Sequence, residues 1–307
     1  MKEINKLIED FPCDLCGAKD EEFLYIKRGS ITNYPFRLVR CRSCGLLYLN
    51  PRLGEKAIRD LYDENYYAGK GFDPYVDYLT DFAKENDNEK TFHPSETVNL
   101  IKNITPSPAK LLDFGCGLGD LILQANKQGY HAEGYEVSDF SREFARSKGI
   151  KVYSDLNQLP MNSYDIVVAI EVLEHCSSPM EALMAIYQSL KPGGVFYYTT
   201  LNFDGFYVRW RLNIKSSLDN YIVPEGHIHF FSTDSIIKYF KKIGFSEVIK
   251  FNPYRIRGRL YNVLSKIGLV DEGFFPKSWL NKIVYYILIN IAAFYEITTK
   301  NLPLAKK

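Results

Sequence analysis

Leu111-Leu112-Asp113-Phe114-Gly115-Cys116-Gly117-Leu118-Gly119-Asp120 is the stretch that decides the fold of this chain. Apolar residues and an acid run into a loop with glycine at every second position. Where a strand turns into a helix, such glycines let backbone approach a ligand closely. A second apolar run ends in Gly134-Tyr135-Glu136, and Glu136 lies 17 residues beyond Gly119, where a carboxylate that takes ribose hydroxyls would stand. A glycine turn that merely packs helix on strand is the plainer reading of the loop alone. The two features together predict a nucleoside cofactor. Dinucleotide enzymes share this geometry but space their glycines GxGxxG; GxGxG preceded by Asp113 favours a different cofactor.

Outward from the loop, apolar strands at 111–114, 131–137, 166–170 and 195–199 alternate with amphipathic stretches at 121–128, 140–148 and 179–190. That alternation predicts an α/β fold with a parallel sheet covered on both faces. A further helix is expected at 233–243 with Ser232 as its cap, and a further strand at 245–251. No internal repeat or low-complexity tract interrupts the chain.

Ahead of this block, Cys13-x-x-Cys16-Gly17 and Cys41-x-x-Cys44-Gly45 form two knuckles, each folding its sulfurs toward one point. Four thiolates leave no open coordination position, so a metal there, zinc by ligand type, is structural. Of the six cysteines only Cys116 and Cys176 stand apart, a usage that suits a reducing compartment. Residues 1–10 are charged and lack an apolar h-region, which together predict a cytoplasmic protein. The 307-residue chain is long enough for about two domains, and its net charge of +1 favours neither general nucleic-acid attraction nor disorder.

The glycine loop, Glu136, Tyr164-Asp165-Ile166-Val167-Val168, Glu171-Val172-Leu173-Glu174-His175 and Leu190-Lys191-Pro192-Gly193-Gly194 follow one another in the order found in class I S-adenosylmethionine-dependent methyltransferases, which the chain resembles over residues 110 to about 200. The resemblance implies a doubly wound, Rossmann-like, mostly parallel seven-stranded sheet. It implies that Asp113, Gly115, Gly117 and Gly119 frame the methionine end of the cofactor. Glu136 would take the ribose, and Asp155 with the backbone at Leu156 would meet adenine; a plain surface acid is the other reading of Asp155. Glu171 closes its strand facing the crevice. For Glu174 and His175, capping or core contact stands beside catalysis.

The sulfonium of this cofactor makes its methyl group electrophilic unaided, so the protein has mainly to align an acceptor. A hydroxyl acceptor also needs a base, and histidine is the usual one. Among five histidines, Pro224-Glu225-Gly226-His227-Ile228-His229-Phe230-Phe231-Ser232 is the suggestive context. Read as extended, it sets His227, His229 and Phe231 on one side. It resembles the segment before the penultimate helix in the sugar and small-molecule branch of the family, which makes His227 the candidate base and Glu171 its partner at the acceptor. Local hydrogen bonding that fixes the loop is the alternative for His227. That branch often carries a cysteine-knuckle ribbon, and Cys44-Gly45-Leu46-Leu47-Tyr48-Leu49-Asn50-Pro51-Arg52 continues the likeness. Its C-methylating members pair glutamate and histidine directly. Glu225-Gly226-His227 breaks that adjacency and favours O-methylation of a sugar, glycan or related small molecule.

The resulting plan is a zinc ribbon over 1–50, a helical, aromatic-rich connector over 51–108, a methyltransferase domain over 109–259 and a helical tail over 260–307. Tyr62, Tyr66 and Tyr67 of the connector suit either a lid or a seam. Arg255, Arg257 and Arg259 suit either a diphosphate or a solvated edge. The apolar tail over 279–297 suits packing on the enzyme or on a second subunit, or a peripheral contact with a membrane through 276–307. Two competitors remain: an RNA methyltransferase gripping nucleic acid with the ribbon, and a non-catalytic homologue that keeps the fold.

Overall fold

The computed structural model describes residues 7–72, 74, 76–84, 89–91, 93–200, 203, 222–251 and 295–300, with the backbone alone over 248–251 and 295–300. Strand β1 (Ile8–Glu9) precedes β2 (Glu21–Arg28), β3 (Pro35–Cys41) and β4 (Leu47–Leu49), and β5 (Arg52–Leu53) pairs back with β1. The connector supplies α1 (Glu55–Asp60), α2 (Glu64–Tyr67), α3 (Tyr78–Ala83) and α4 (Pro94–Ile104). Strands and helices then alternate: β6 (Lys110–Phe114), α5 (Asp120–Lys127), β7 (His131–Tyr135), α6 (Asp139–Ser147), β8 (Val152–Tyr153), β9 (Tyr164–Ile170), α7 (Pro179–Ser189) and β10 (Leu190–Thr200). Strand β11 (His229–Phe230), α8 (Thr233–Ile243), β12 (Glu247–Phe251) and β13 (Tyr295–Lys300) complete the described elements.

The main sheet has seven strands in the order β12-β13-β10-β9-β6-β7-β8. The five from β10 to β8 are parallel, while β13 runs antiparallel to both its neighbours. Strand order reverses between β6, which leads outward to β7 and β8, and β9, which leads to β10. Ligands of open α/β sheets bind beyond the carboxyl ends of the strands at such a switch point. The expected Rossmann-like architecture is therefore present, with the glycine loop at its centre.

Local sequence explains the elements. Helix α8 starts with a capping box in which Ser232 and Ser235 satisfy each other's backbone, and it stops at Gly244 with φ +111°. Ile236, Tyr239, Phe240 and Ile243 repeat at helical spacing and are buried against the sheet. Burying Tyr239 or Phe240 contributes on the order of 1.5–3 kcal/mol.

A smaller sheet, ordered β11-β4-β3-β2, carries the cysteine knuckles. Its core is continuous with that of the catalytic sheet: Leu15, Val39, Leu46 and Tyr48 share one apolar cluster with Phe114, Val167, Phe196 and Phe240. The ribbon is bolted on by polar contacts as well. Asp14, inside the first knuckle, accepts hydrogen bonds from Ser178 Oγ (2.7 Å), Met180 N (2.9 Å) and Tyr239 Oη (2.8 Å). Lys242 Nζ donates to Leu15 O and Lys238 Nζ to Cys44 O.

One expectation is corrected at the C-terminus. The helix read through residue 297 gives way to β13 over Tyr295–Lys300, where Ile297-Thr298-Thr299 is a β-branched run of strand propensity. Residues 279–294 of that helix, and Arg255, Arg257 and Arg259, lie outside the described residues. No helix among the described residues is long and apolar enough to cross a membrane.

Candidate active site

The glycine loop is bent back onto the neighbouring strand, with Gly115 N and Cys116 N both donating to Tyr135 O (2.8 and 3.0 Å). Gly115, Gly117 and Gly119 have φ of +81°, +50° and +92°, a region that side chains rarely adopt. Packing adds a second demand at two of them. A Cβ on Gly115 would stand 2.6 Å from Val172 Cγ2, and one on Gly119 would run into Ile150 Cδ1. Gly117 is the exception, since its nearest neighbour is the Tyr67 ring at 3.9 Å.

Two carboxylates flank the loop at the ends of β6 and β7. Glu136 Oε2 accepts from Gly117 N (2.9 Å) and Oε1 from Ser138 N (2.8 Å), which ties the second strand to the loop. Burial pushes the Asp113 carboxyl up to about 8, with the Glu136 charge adding to it. Burial raises Glu136 too, although the N–H groups of Ser138 and Gly117 oppose the shift. Two buried acids, with no cation beside Asp113 among the described residues and only Arg142 acting on Glu136, form a site that takes hydroxyl donors and an ammonium group. This chemistry fits the ribose and the methionine end of S-adenosylmethionine. Asp155 is exposed, and its Oδ1 accepts from Asn157 N (2.8 Å), capping the short 3-10 helix Leu156–Gln158. Its carboxylate is turned to that local role at the same edge of the sheet, and Leu156 packs half-buried beside the main core.

The sign of the Asp113 shift gives a prediction. The folded state keeps a proton that the unfolded chain releases near pH 3.8, so stability is lost as pH rises between that value and about 8. The slope is at most about 1.4 kcal/mol per pH unit. Asp113→Asn cannot ionise and is expected to flatten the fall in melting temperature across this window while weakening cofactor binding. Melting curves against pH, without ligand, check it; parallel slopes for wild type and variant would refute it.

On the other side of the switch point, Glu171 follows β9 with φ +51°, a strained conformation for a non-glycine residue. Thr199 holds it from β10, accepting from Glu171 N through its carbonyl (3.1 Å) and donating Oγ1–H to Glu171 Oε1 (2.8 Å). Glu174 is 2% exposed, and among the described residues neither of its carboxylate oxygens has a hydrogen-bond partner. Burial, then the neighbouring Glu171, pushes its carboxyl well above the usual range.

His175 Nδ1 lies 2.8 Å from Tyr62 Oη and 3.1 Å from Gly226 O. The carbonyl can only accept, so it calls for the proton on Nδ1 and leaves the lone pair on Nε2. Burial, together with the charge of His227, holds this imidazole well below its ordinary range. The His227 ring stands 4.7 Å from it, centroid to centroid. The segment expected to be extended is instead a turn up to residue 227, closed by Gly226 N and His227 N donating to Val223 O (2.9 and 2.7 Å). Within this segment only His229–Phe230 is a strand, and His229 is buried in the sheet.

The aromatic connector covers the glycine loop. Tyr66, Tyr67, Phe72 and Leu118 make one cluster, joined from α6 by Phe140 and Phe144, so the seam reading of Tyr66 and Tyr67 is the observed one. Ser138 Oγ donates to Tyr62 O, and Lys90 Nζ donates to Asp120 Oδ1 (2.8 Å) at the start of α5. The Tyr62–His175 contact was not legible in the sequence, because 113 positions separate its partners.

The four knuckle thiols lie within 4.8 Å of one another, with Cys13–Cys44 and Cys16–Cys41 sulfurs at 3.4 and 3.5 Å. A tetrahedron with metal–sulfur bonds of ~2.3 Å has edges of ~3.8 Å, so this donor set suits one tetrahedral ion.

A switch-point crevice lined by a GxGxG loop, two buried acids and a strained glutamate defines an S-adenosylmethionine-dependent methyltransferase of the Rossmann-like class. The chain belongs to the methyltransferase-domain family, whose match runs over residues 67–249, more than half its length. Two curated relatives are ubiquinone biosynthesis O-methyltransferases. The one from Saccharophagus degradans is 30% identical over 132 residues, 38% of this chain and 56% of that protein. The one from Bordetella bronchiseptica is 26% identical over 203 residues, 59% of this chain and 80% of that protein. The chain thus spans little more than half of the first relative. Phosphoethanolamine N-methyltransferase 2 of Haemonchus contortus, solved with S-adenosyl-L-methionine, shares the fold with a TM-score of 0.56 at 19% identity, over 92% of this chain and 69% of that one.

Proposed function

We propose that the protein methylates a hydroxyl of a small molecule, with His227 as general base and Glu171 supporting the acceptor. The observation that carries this reading is the meeting of Glu171, Glu174, His175, His227 and Tyr62 beside the glycine loop. Asp113 with Gly115, Gly117 and Gly119 would hold the methionine end of S-adenosylmethionine, Glu136 its ribose, and Asp155 with Leu156 its adenine. When bound, that cofactor supplies an electrophilic methyl group on a sulfonium. The residues described then have to orient the acceptor, keep water out and receive one proton. Cys13, Cys16, Cys41 and Cys44 would bind a structural zinc.

For the acceptor, a sugar or glycan hydroxyl is the class suggested by the knuckle ribbon and its likeness to the sugar branch. The relatives named as ubiquinone biosynthesis O-methyltransferases favour an oxygen of a ubiquinone precursor as the second class. RNA is less well supported, because Arg37, Arg40 and Arg42 of the ribbon pair with Glu21, Glu22 and Asp20 and so break up any basic stripe. Labelled-methyl transfer against nucleotide sugars, lipid-linked glycans, ubiquinone precursors and RNA tests the proposal. Transfer to an oxygen of a sugar or a ubiquinone precursor is expected; transfer only to RNA, or no cofactor binding by calorimetry, would overturn it. Attachment to a membrane surface through 276–307 and self-association are further proposals, to be checked by vesicle flotation and light scattering of the full chain.

A further inference from the structure

The turn that carries His227 belongs physically to the ribbon. Strand β11 pairs with β4, His229 opposite Tyr48 and Phe230 opposite Leu47, and so adds the fourth strand to the knuckle sheet. Ile228 spans the two parts: its carbonyl accepts from Leu49 N (3.0 Å) in the ribbon, and its N–H donates to Glu174 O (2.9 Å) beside the acceptor cluster. Glu225 is completely buried, and it points away from the cluster. Its Oε1 accepts three hydrogen bonds from the turn between β2 and β3, from Ile31 N (3.0 Å), Thr32 N (3.1 Å) and Thr32 Oγ1 (3.0 Å). Gly29 has to be glycine there, because a Cβ would run into that same oxygen. The next residue, Gly226, presents its carbonyl to His175 and leaves no room for a side chain against Phe72.

We propose that Glu225 is a positioning residue, a latch by which the cysteine-knuckle ribbon holds the 223–228 turn and so sets His227 against His175. A triple acceptor fixed by two backbone N–H groups and a hydroxyl defines both the position and the direction of a carboxylate. The following two residues have little freedom to depart from it. Glu225 Oε2 has no partner among the described residues, so the latch works through one oxygen. A glutamine can supply that oxygen as an amide carbonyl; an alanine cannot.

The proposal rests on the reading of His227 as base, and the test separates the two. Nitrogen-15 NMR of the His227 ring needs no acceptor: its signals are expected to move in Glu225→Ala, less in Thr32→Val, and to stay near wild type in Glu225→Gln. In methyl transfer, Glu225→Ala is expected to lower kcat about 10–100-fold, with KM for S-adenosylmethionine unchanged and Glu225→Gln restoring turnover to within about threefold. Thr32→Val removes one of the three donors from the ribbon side and keeps the protein testable if Glu225→Ala fails to fold. Unmoved His227 signals in both Glu225→Ala and Thr32→Val would overturn the latch. So would a Glu225→Gln variant as impaired as Glu225→Ala, since the carboxylate would then act directly. Moved signals with no transfer to any hydroxyl would leave the latch standing and sink the proposed reaction.

Discussion

His227→Ala is expected to lower kcat/KM for methyl transfer about 10²–10⁴-fold, while cofactor affinity stays within about twofold. The asymmetry follows from the geometry. His227 lies beside His175, which meets Tyr62, whereas Asp113 and Glu136 stand at the ends of β6 and β7 against the glycine loop. His175 has Nδ1 committed to the Gly226 carbonyl and the Tyr62 hydroxyl, so it is better placed to orient its neighbour than to replace it. His175→Ala is therefore expected to cost less than His227→Ala, and the two losses should not add, because the rings are in contact. Steady-state rates on the true acceptor, with calorimetry for the cofactor, decide the matter. Full turnover by His227→Ala would show that the base is elsewhere.

Loss of the proposed ribbon zinc is expected to have the largest effect on stability. Cys41→Ser takes one thiolate from a set whose sulfurs already converge within 4.8 Å. Apparent binding free energies of structural zinc sites are about 10–16 kcal/mol in small peptides. Here the knuckle residues Cys13, Leu15 and Cys41 are buried in the same cluster as Phe196, Tyr239 and Phe240, so a loosened ribbon also uncovers α8 and the sheet behind it. A fall in melting temperature of about 10 °C or more follows for a chain of this size. Elemental analysis should find one zinc per wild-type chain and less in Cys41→Ser. A wild-type protein that holds no metal and melts identically with and without chelator would refute the assignment.

Much of the scaffold could be read before any coordinates. The alternation from residue 110 to 200, the glycine spacing and the Ser232 cap depend on local rules, with periods of two and 3.6 residues and left-handed turns, and they reappear as β6 to β10 and α8. The knuckles were legible for the same reason, since CxxCG is a local turn. Reading failed where the partner is remote. The apolar tail looked helical by composition, yet Tyr295–Lys300 pairs with β10 and β12, a choice made by open sheet edges. The histidine segment looked extended by alternation, yet two hydrogen bonds to Val223 O bend it.

The sequence by itself determined the cofactor class and the four cysteines that converge, because each depends on residue types at short fixed spacings. Tertiary structure alone decided what those parts do to one another. It made Glu225 a partner of the Ile31–Thr32 turn, 193 positions away, and it brought Tyr62 to His175 across 113. It also made the cysteine-knuckle ribbon one core with the main sheet. Contacts at such separations leave no local pattern; they exist only once burial and chain closure have chosen which surfaces meet.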